Sequence, residues 1–154
     1  METFTDNNER ARIAHLAATC ACQNLRRASR NITNYYDALL KETGLRVTQI
    51  PMLVIVYLAG SQTINDMAEK LGLDRTTLTR NLKPLEHAGL LAVASGTDQR
   101  TRVVTLTENG KQKLLQVLPL WEQAQAHMVE GMGHTRVATL LTQLSDAAVV
   151  AHKD

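Results

Sequence analysis

The stretch TINDMAEKLGLDRTTLTRNLKPLEHAGLL, residues 63–91, decides the fold of this 154-residue chain. Two short amphipathic segments flank a Gly turn, and a basic hairpin pattern follows at once. Thr63 is placed to N-cap the first segment, with Asp66 three residues on in a capping-box-like opening. Gly72 permits the left-handed backbone that ends that helix, and Asp74 can N-cap the next. In the second helix Leu78, Leu82 and Leu85 recur at i, i+4 and i+7 and predict a buried stripe. Thr76, Thr79, Arg80, Lys83 and His87 are left on the other side. A core helix has no use for two cations and two hydroxyls aligned there. A helix lying in a DNA major groove does, because Arg and Lys reach guanine edges or phosphates while Thr serves bases and backbone. Pro84 removes a backbone donor, so a kink is expected after Lys83.

Past Gly89 the run LLAVASGTDQRTRVVTLTENG, residues 90–110, alternates apolar and polar positions on both sides of a polar centre. This spacing predicts a β-hairpin. Its tip carries Asp98, Arg100 and Arg102, which suits a minor groove, where negative potential attracts Arg and a neighbouring Asp orients the guanidinium. From Arg75 to Arg102 five Lys/Arg face two Asp/Glu, a net of +3, whereas the whole chain is only +2. The positive excess sits in the proposed DNA-reading segment, and its local concentration matters more than the total.

These pieces, in this order, resemble the MarR family of winged helix-turn-helix regulators over nearly the whole chain. The resemblance rests on the LGLDRTTLTRNLKPLEHAGLL helix, the Asp-x-Arg wing tip at Asp98 and Arg100, the Leu-Thr-x-x-Gly closing at Leu106 to Gly110, and the flanking helices. It implies dimers whose recognition helices enter successive major grooves while the wings reach into minor grooves. Thr76, Arg80, Lys83 and Arg100 would then have those roles. With the flanking positions added, the expected DNA-contacting set is Arg75, Thr76, Thr77, Thr79, Arg80, Lys83, Asp98, Arg100 and Arg102.

Composition bounds the rest. Hydrophobic residues make up 44% of the chain, enough for a core, but aromatic residues only 3%, so the core must come from Leu, Val, Ile and Ala in a mostly α protein. No apolar run approaches the ~18 residues that span a bilayer, and the polar start METFTDNNER has no signal-peptide core. A cytoplasmic protein is expected. Its five histidines make no metal-ligand spacing, and no nucleophile–base pair or phosphate-cradling loop is present, so neither a metal, a cofactor nor an enzyme activity is expected.

Outside the central segment, one long helix is expected from about residue 9 to 43, ended by Gly44. A second should start at Thr48, its N-cap, and run to Ala59 with Pro51 in the first turn. Thr107 should cap a long helix to about Glu130, bent at Pro119, and a last helix should run from Thr135 to His152 after a hinge at Gly131 to His134. The terminal helices carry more apolar surface than the central segment can cover, which predicts a homodimer on a palindromic double-stranded operator, with half-sites about 34 Å apart. The fold expected is therefore mostly α with a small β-hairpin wing. It is one domain, 1–154, with a winged helix-turn-helix at about 48–106 and long dimerising helices at about 9–43 and 108–152.

Signal detection stays open between two readings. Cys20 and Cys22 are either small buried hydrophobes on a long helix or thiol sensors of a soft metal, metalloid or oxidant. The spacing of Cys22 to Ser29, Arg30 and Tyr36 is similar to the hydroperoxide-sensing branch of the family, but Arg26 and Val47 stand where that branch has tyrosines. By family position, a pocket lined by Tyr35, Tyr36, Arg46, Met52 and Ile55 would take a small anionic aromatic inducer. The competing class for the whole protein is a helical interaction module whose basic wing meets an acidic protein.

Overall fold

The computed structural model describes residues 3–96, 98 and 101–151, in two compact units, Met1–Tyr35 and Tyr36–Asp154. The first holds helix α1, Thr3–Thr19, and most of α2, Ala21–Leu40. The helix expected from residue 9 to 43 is thus interrupted. The interruption falls at Cys20, where Asn24 turns its side-chain amide back on the ladder, donating to Ala18 O at 3.3 Å and Cys20 O at 3.0 Å. Side-chain donors inserted among helical carbonyls are an established cause of such breaks. Main-chain bonds still cross it, from Cys20 N to Leu16 O and from Asn24 N to Cys20 O.

In the second unit α2 ends through a 3-10 turn at Gly44, as the sequence predicts. Helix α3, Ile50–Ala59, follows another 3-10 turn, Val47–Gln49. Thr48 is not its cap. Arg46 N donates to Gln49 Oε1 at 2.9 Å and Val47 N to Asp37 Oδ1 at 2.7 Å, while Gln49 N and Ile50 N donate to Arg46 O and Val47 O, so the 3-10 turn's own carbonyls take the amides at the start of α3, and Pro51 has none to cap. Pro51 sits in the first turn of α3 without disturbing it.

Strand β1, Ser61–Thr63, leads into α4, Ile64–Leu71, and α5, Arg75–His87. Thr63 Oγ1 accepts from Asp66 N at 3.1 Å, and Asp74 Oδ1 accepts from Thr77 N at 2.8 Å, so both expected N-caps are made. Gly72, with φ +62°, donates to Ala68 O and Glu69 O, and Leu73 N reaches Ala68 O at 2.9 Å. That left-handed stop would strain any residue with a Cβ. Helix α5 runs on to His87 with Pro84, the residue expected to kink it, inside it.

The wing strands are β2, Leu91–Ser95, and β3, Arg102–Leu106, antiparallel with Leu91 opposite Leu106 and Ser95 opposite Arg102. The hairpin is not alone: β1 pairs with the other edge of β3, Gln62 opposite Val104, giving the order β1-β3-β2. A polar three-residue strand has no alternation to reveal it. It is a strand because β3 offers it a row of backbone partners.

Thr107 caps α6, Glu108–Met132, accepting from Gly110 N at 3.0 Å while its own hydroxyl turns to Gly89 O at 2.7 Å. Gly110 is there for close approach: a Cβ would stand 2.1 Å from Leu90 O. The Leu-Thr-x-x-Gly closing thus clamps the end of the helix-turn-helix to the start of α6. Helix α6 passes through Pro119, and α7 spans His134–Ala151 with Gly133 alone between them.

The core gathers Leu40, Leu45, Met52, Leu53, Val56, Met67, Leu78, Leu82, Leu85, Leu91, Val104 and Val117. It is aliphatic, as the composition requires. At about 25 cal/mol per Å² of buried apolar surface, each such side chain contributes about 1.5–3 kcal/mol before chain entropy is set against it.

Candidate nucleic-acid interface

Helix α5 presents two unlike faces. Leu78, Leu82 and Leu85 are at most 2% exposed, and Thr76, Arg80, Lys83 and His87 stand in solvent on the opposite side. Among the described residues, the Arg80 and Lys83 side chains have no hydrogen-bond or ion-pair partner. Two long cations held on a fixed face, with no neutralising partner among the described residues, are suited to bases and phosphates.

The threonines divide by geometry. Thr76 is exposed, whereas Thr77 is half-buried and donates its hydroxyl to Asp74 Oδ2 at 2.6 Å, and half-buried Thr79 donates to Arg75 O at 2.7 Å. The last two hydroxyls spend their protons on the helix and keep only acceptor capacity for a ligand. Thr77's hydrogen bonds also hold the Asp74 carboxyl below its ordinary value, the side-chain bond being the larger cause.

Arg75 and Arg102 are exposed and converge on one small cleft with Thr63, Ile64, Asn65 and Thr101. Asn65 and Thr101 carry no periodic signal; only the folding of α4 against the sheet brings them there. At the wing tip Asp98 is exposed and its carbonyl accepts from Thr101 N at 2.8 Å, while Gly96 N donates to Thr101 O at 2.8 Å. Arg100 lies outside the described residues.

The sensor candidates are placed as follows. Cys20 and Cys22 are free thiols, Cys20 half-buried at the α1–α2 interruption and Cys22 exposed just beyond it. Tyr36 is buried and donates to Gln125 Oε1 at 3.0 Å; Met52 is buried, Tyr35 and Ile55 are half-buried, and Arg46 is exposed. None of these five is among the walls of a cavity of about 550 Å³ between α3 and α6, which is lined by Ile50, Val54, Tyr57, Leu114, Leu118 and Trp121 with Lys111. Residues 52 and 55 lie on another face of α3 from 50, 54 and 57, because 3.6 residues make a turn. Among the described residues no group of His, Cys, Asp or Glu is placed to hold a metal ion, and no helix is long and apolar enough to cross a membrane.

Comparison with known proteins places this geometry. A family model described as MarR family matches residues 45–101, from just before the 3-10 turn that leads into α3 to the start of β3. The Mycobacterium tuberculosis transcriptional regulator MosR, solved in complex with DNA, is 36% identical with a TM-score of 0.76, over 87% of this chain and 99% of that one. The transcriptional repressor CouR, bound to a 23-mer DNA duplex, shares the fold at 21% identity and a TM-score of 0.79, over 86% of this chain and 95% of that one. The organic hydroperoxide resistance transcriptional regulator of Bacillus subtilis is 34% identical over 58% of this chain, a match that spans 61% of that regulator's own length. With its capped helix pair, three-stranded wing sheet and long flanking helices, the chain belongs to the MarR family of transcriptional regulators, DNA-binding winged-helix proteins.

Proposed function

We propose that this regulator is a homodimeric repressor acting in the cytoplasm, whose two α5 helices read successive major grooves of a palindromic operator while Arg100 and its wing reach the flanking minor grooves. The observation that carries the reading is the row Thr76, Arg80 and Lys83, exposed, unneutralised and backed by a fully buried leucine stripe. Arg75, Thr77, Thr79, Asp98 and Arg102 complete the contact set, Thr77 and Thr79 as acceptors. The DNA in the MosR complex supports the partner. Titrations against a palindromic and a scrambled duplex at several salt concentrations test it. Arg80→Ala should weaken specific binding by about 1–3 kcal/mol and relax one position of each half-site, whereas Arg100→Ala should weaken binding with less loss of specificity. Steep salt dependence without sequence preference would favour a general polyanion binder or an acidic protein partner instead.

Dimerisation is supported by unburied apolar side chains: Leu141, Val149 and Val150 on α7 and Ile13 and Leu16 on α1 are all about 60% exposed or more. Such a surface is a cost in water that a second copy removes.

Release of DNA has two routes. Thiol modification at Cys20 and Cys22 would act where α1 and α2 are already interrupted, and the name of the Bacillus subtilis relative favours it. Residues two apart on an intact helix point about 200° apart, so a bond between the two thiols needs this local departure from helix or a second subunit. The other route is a small apolar anion in the α3–α6 cavity, whose volume is in the usual range for ligand sites and whose walls join Trp121 and Tyr57 to Lys111. Operator binding by wild type and by the Cys20→Ser, Cys22→Ser double variant, with and without an organic hydroperoxide or a trivalent metalloid, separates them. A response shared by both proteins leaves the cavity as the route, and quenching of Trp121, the only tryptophan, reports its occupancy.

A further inference from the structure

The cleft at the root of the wing has an unusual set of walls. Thr63, Ile64 and Asn65 come from the β1–α4 junction, Arg75 from the start of α5, and Thr101 and Arg102 from the start of β3. Two arginines therefore line one recess with two threonines and an asparagine, and no acidic residue is among its walls. The nearest acid in sequence, Asp74, has its two oxygens committed to the Thr77 amide and hydroxyl. Among the described residues neither the Arg75 nor the Arg102 side chain has a hydrogen-bond or ion-pair partner. Two like charges brought to one place repel unless an anion comes between them. The recess holds about 30 Å³, the room of one water molecule or one anionic oxygen and far below that of a small-molecule ligand.

We propose that Arg75 and Arg102 together clamp a single DNA backbone phosphate, one oxygen of which enters this recess, with the Asn65 amide and Thr101 hydroxyl as neutral donors beside it. The proposal rests on the DNA-reading assignment of α5 and extends it. The two cations belong to different parts of the reader: Arg75 begins the recognition helix and Arg102 begins the return strand of the wing. A phosphate held by both ties the major-groove and minor-groove elements to one point of the backbone. It fixes register and carries no sequence information itself. Guanidinium suits the task because its planar fork can give two parallel hydrogen bonds to phosphate oxygens.

The test uses the full chain and a duplex selected from a random library by the wild-type protein. Apparent affinity is measured across salt for wild type, Arg75→Gln, Arg102→Gln, the double variant and Arg80→Gln, after thermal melting has shown the exposed substitutions to leave folding unchanged. Each phosphate neutralised contributes about 0.9 to the slope of log K against log salt. Either single variant leaves the other guanidinium on the same phosphate and should lower that slope by less than about 1 per half-site, whereas the double variant should lower it by about 1. A neutral methylphosphonate placed at one position per half-site should weaken the wild type and leave the double variant unaffected. Additive losses, with the double variant lowering the slope by about 2 per half-site, would mean two separate phosphates and overturn the clamp. If Arg80→Gln loses sequence preference while the Arg75→Gln, Arg102→Gln double variant keeps the wild-type slope, the clamp fails and the DNA-reading assignment stands. If wild type prefers no duplex over a scrambled one, both fall.

Discussion

Helices α5 and α7 are both rich in leucine, yet they end in opposite environments. On α5 the stripe Leu78, Leu82 and Leu85 disappears into the core, at most 2% exposed; on α7 no residue is buried, and Leu141 remains 60% exposed. The difference is one of partners. Helix α5 is flanked within fifteen residues by α4 and by the wing, which close over its apolar side, whereas α7 follows a single-residue joint from α6 and none of its described residues is buried. The first is a self-sufficient reading head. The second, under the dimer proposed above, would be half of an interface completed by another copy of the chain.

The largest expected effect breaks that contrast from the α7 side. A chain ending at Gly133 should sediment as monomer or aggregate and lose operator binding, while its winged segment keeps its secondary structure. A stable, DNA-competent dimer without α7 would defeat the division of labour. Next comes a matched pair of truncations. Leu82→Ala should destabilise the fold by about 2–5 kcal/mol, as core leucines do, and Leu141→Ala should change protomer stability by no more than about 0.5 kcal/mol while weakening the dimer. Chemical denaturation at high and low protein concentration distinguishes the two, since only a loss at the interface depends on concentration.

A smaller effect sharpens the picture of how the reading head is locked to α6. Gly110→Ala drives a methyl group into Leu90 O, so the residue that leads into β2 and the start of α6 must move apart. A loss of about 1–3 kcal/mol is expected, as for other overpacked sites. Unchanged melting would mean that the backbone gives way without cost.

The smallest expected effect is a pH dependence at the cap of α5. Thr77's hydrogen bonds lower the folded-state pKa of Asp74 below the ordinary 3.8. The sign follows: the contribution is fully present above the unfolded value and is lost as pH falls through the lowered folded one. Because the carboxylate is exposed, solvent and salt keep it slight. Melting curves of wild type and Asp74→Ser, which keeps a capping oxygen without a titrating proton, should run parallel at neutral pH and converge or cross below pH 3.8. Parallel curves throughout would remove the charge from the account of this cap.

What residues 63–110 declare about themselves is local, and so it was legible. A cap is a side chain reaching three residues along, a Gly stop is a backbone angle, and a leucine stripe is a period; Thr63, Gly72, Asp74, Thr107 and the 78–82–85 spacing each act within one or two turns of helix. The long-range devices carry no such mark. Strand β1 exists because β3 lies beside it, the N-terminal helix is interrupted because Asn24 turns back on it, and the 3-10 turn that leads into α3 is held by Asp37 from ten residues before Val47. The α3–α6 cavity could not be read either, since its walls come from helices some fifty residues apart.

The sequence by itself determined a mostly helical winged reader with a basic recognition face, because those features rest on backbone propensity and periodicity at short range. Only the tertiary structure decided that Thr77 and Thr79 spend their protons on the helix and that Gly110 yields to a carbonyl. It alone brought Arg75 and Arg102 to one recess, because proximity between distant residues is a property of the packed chain and of no segment within it.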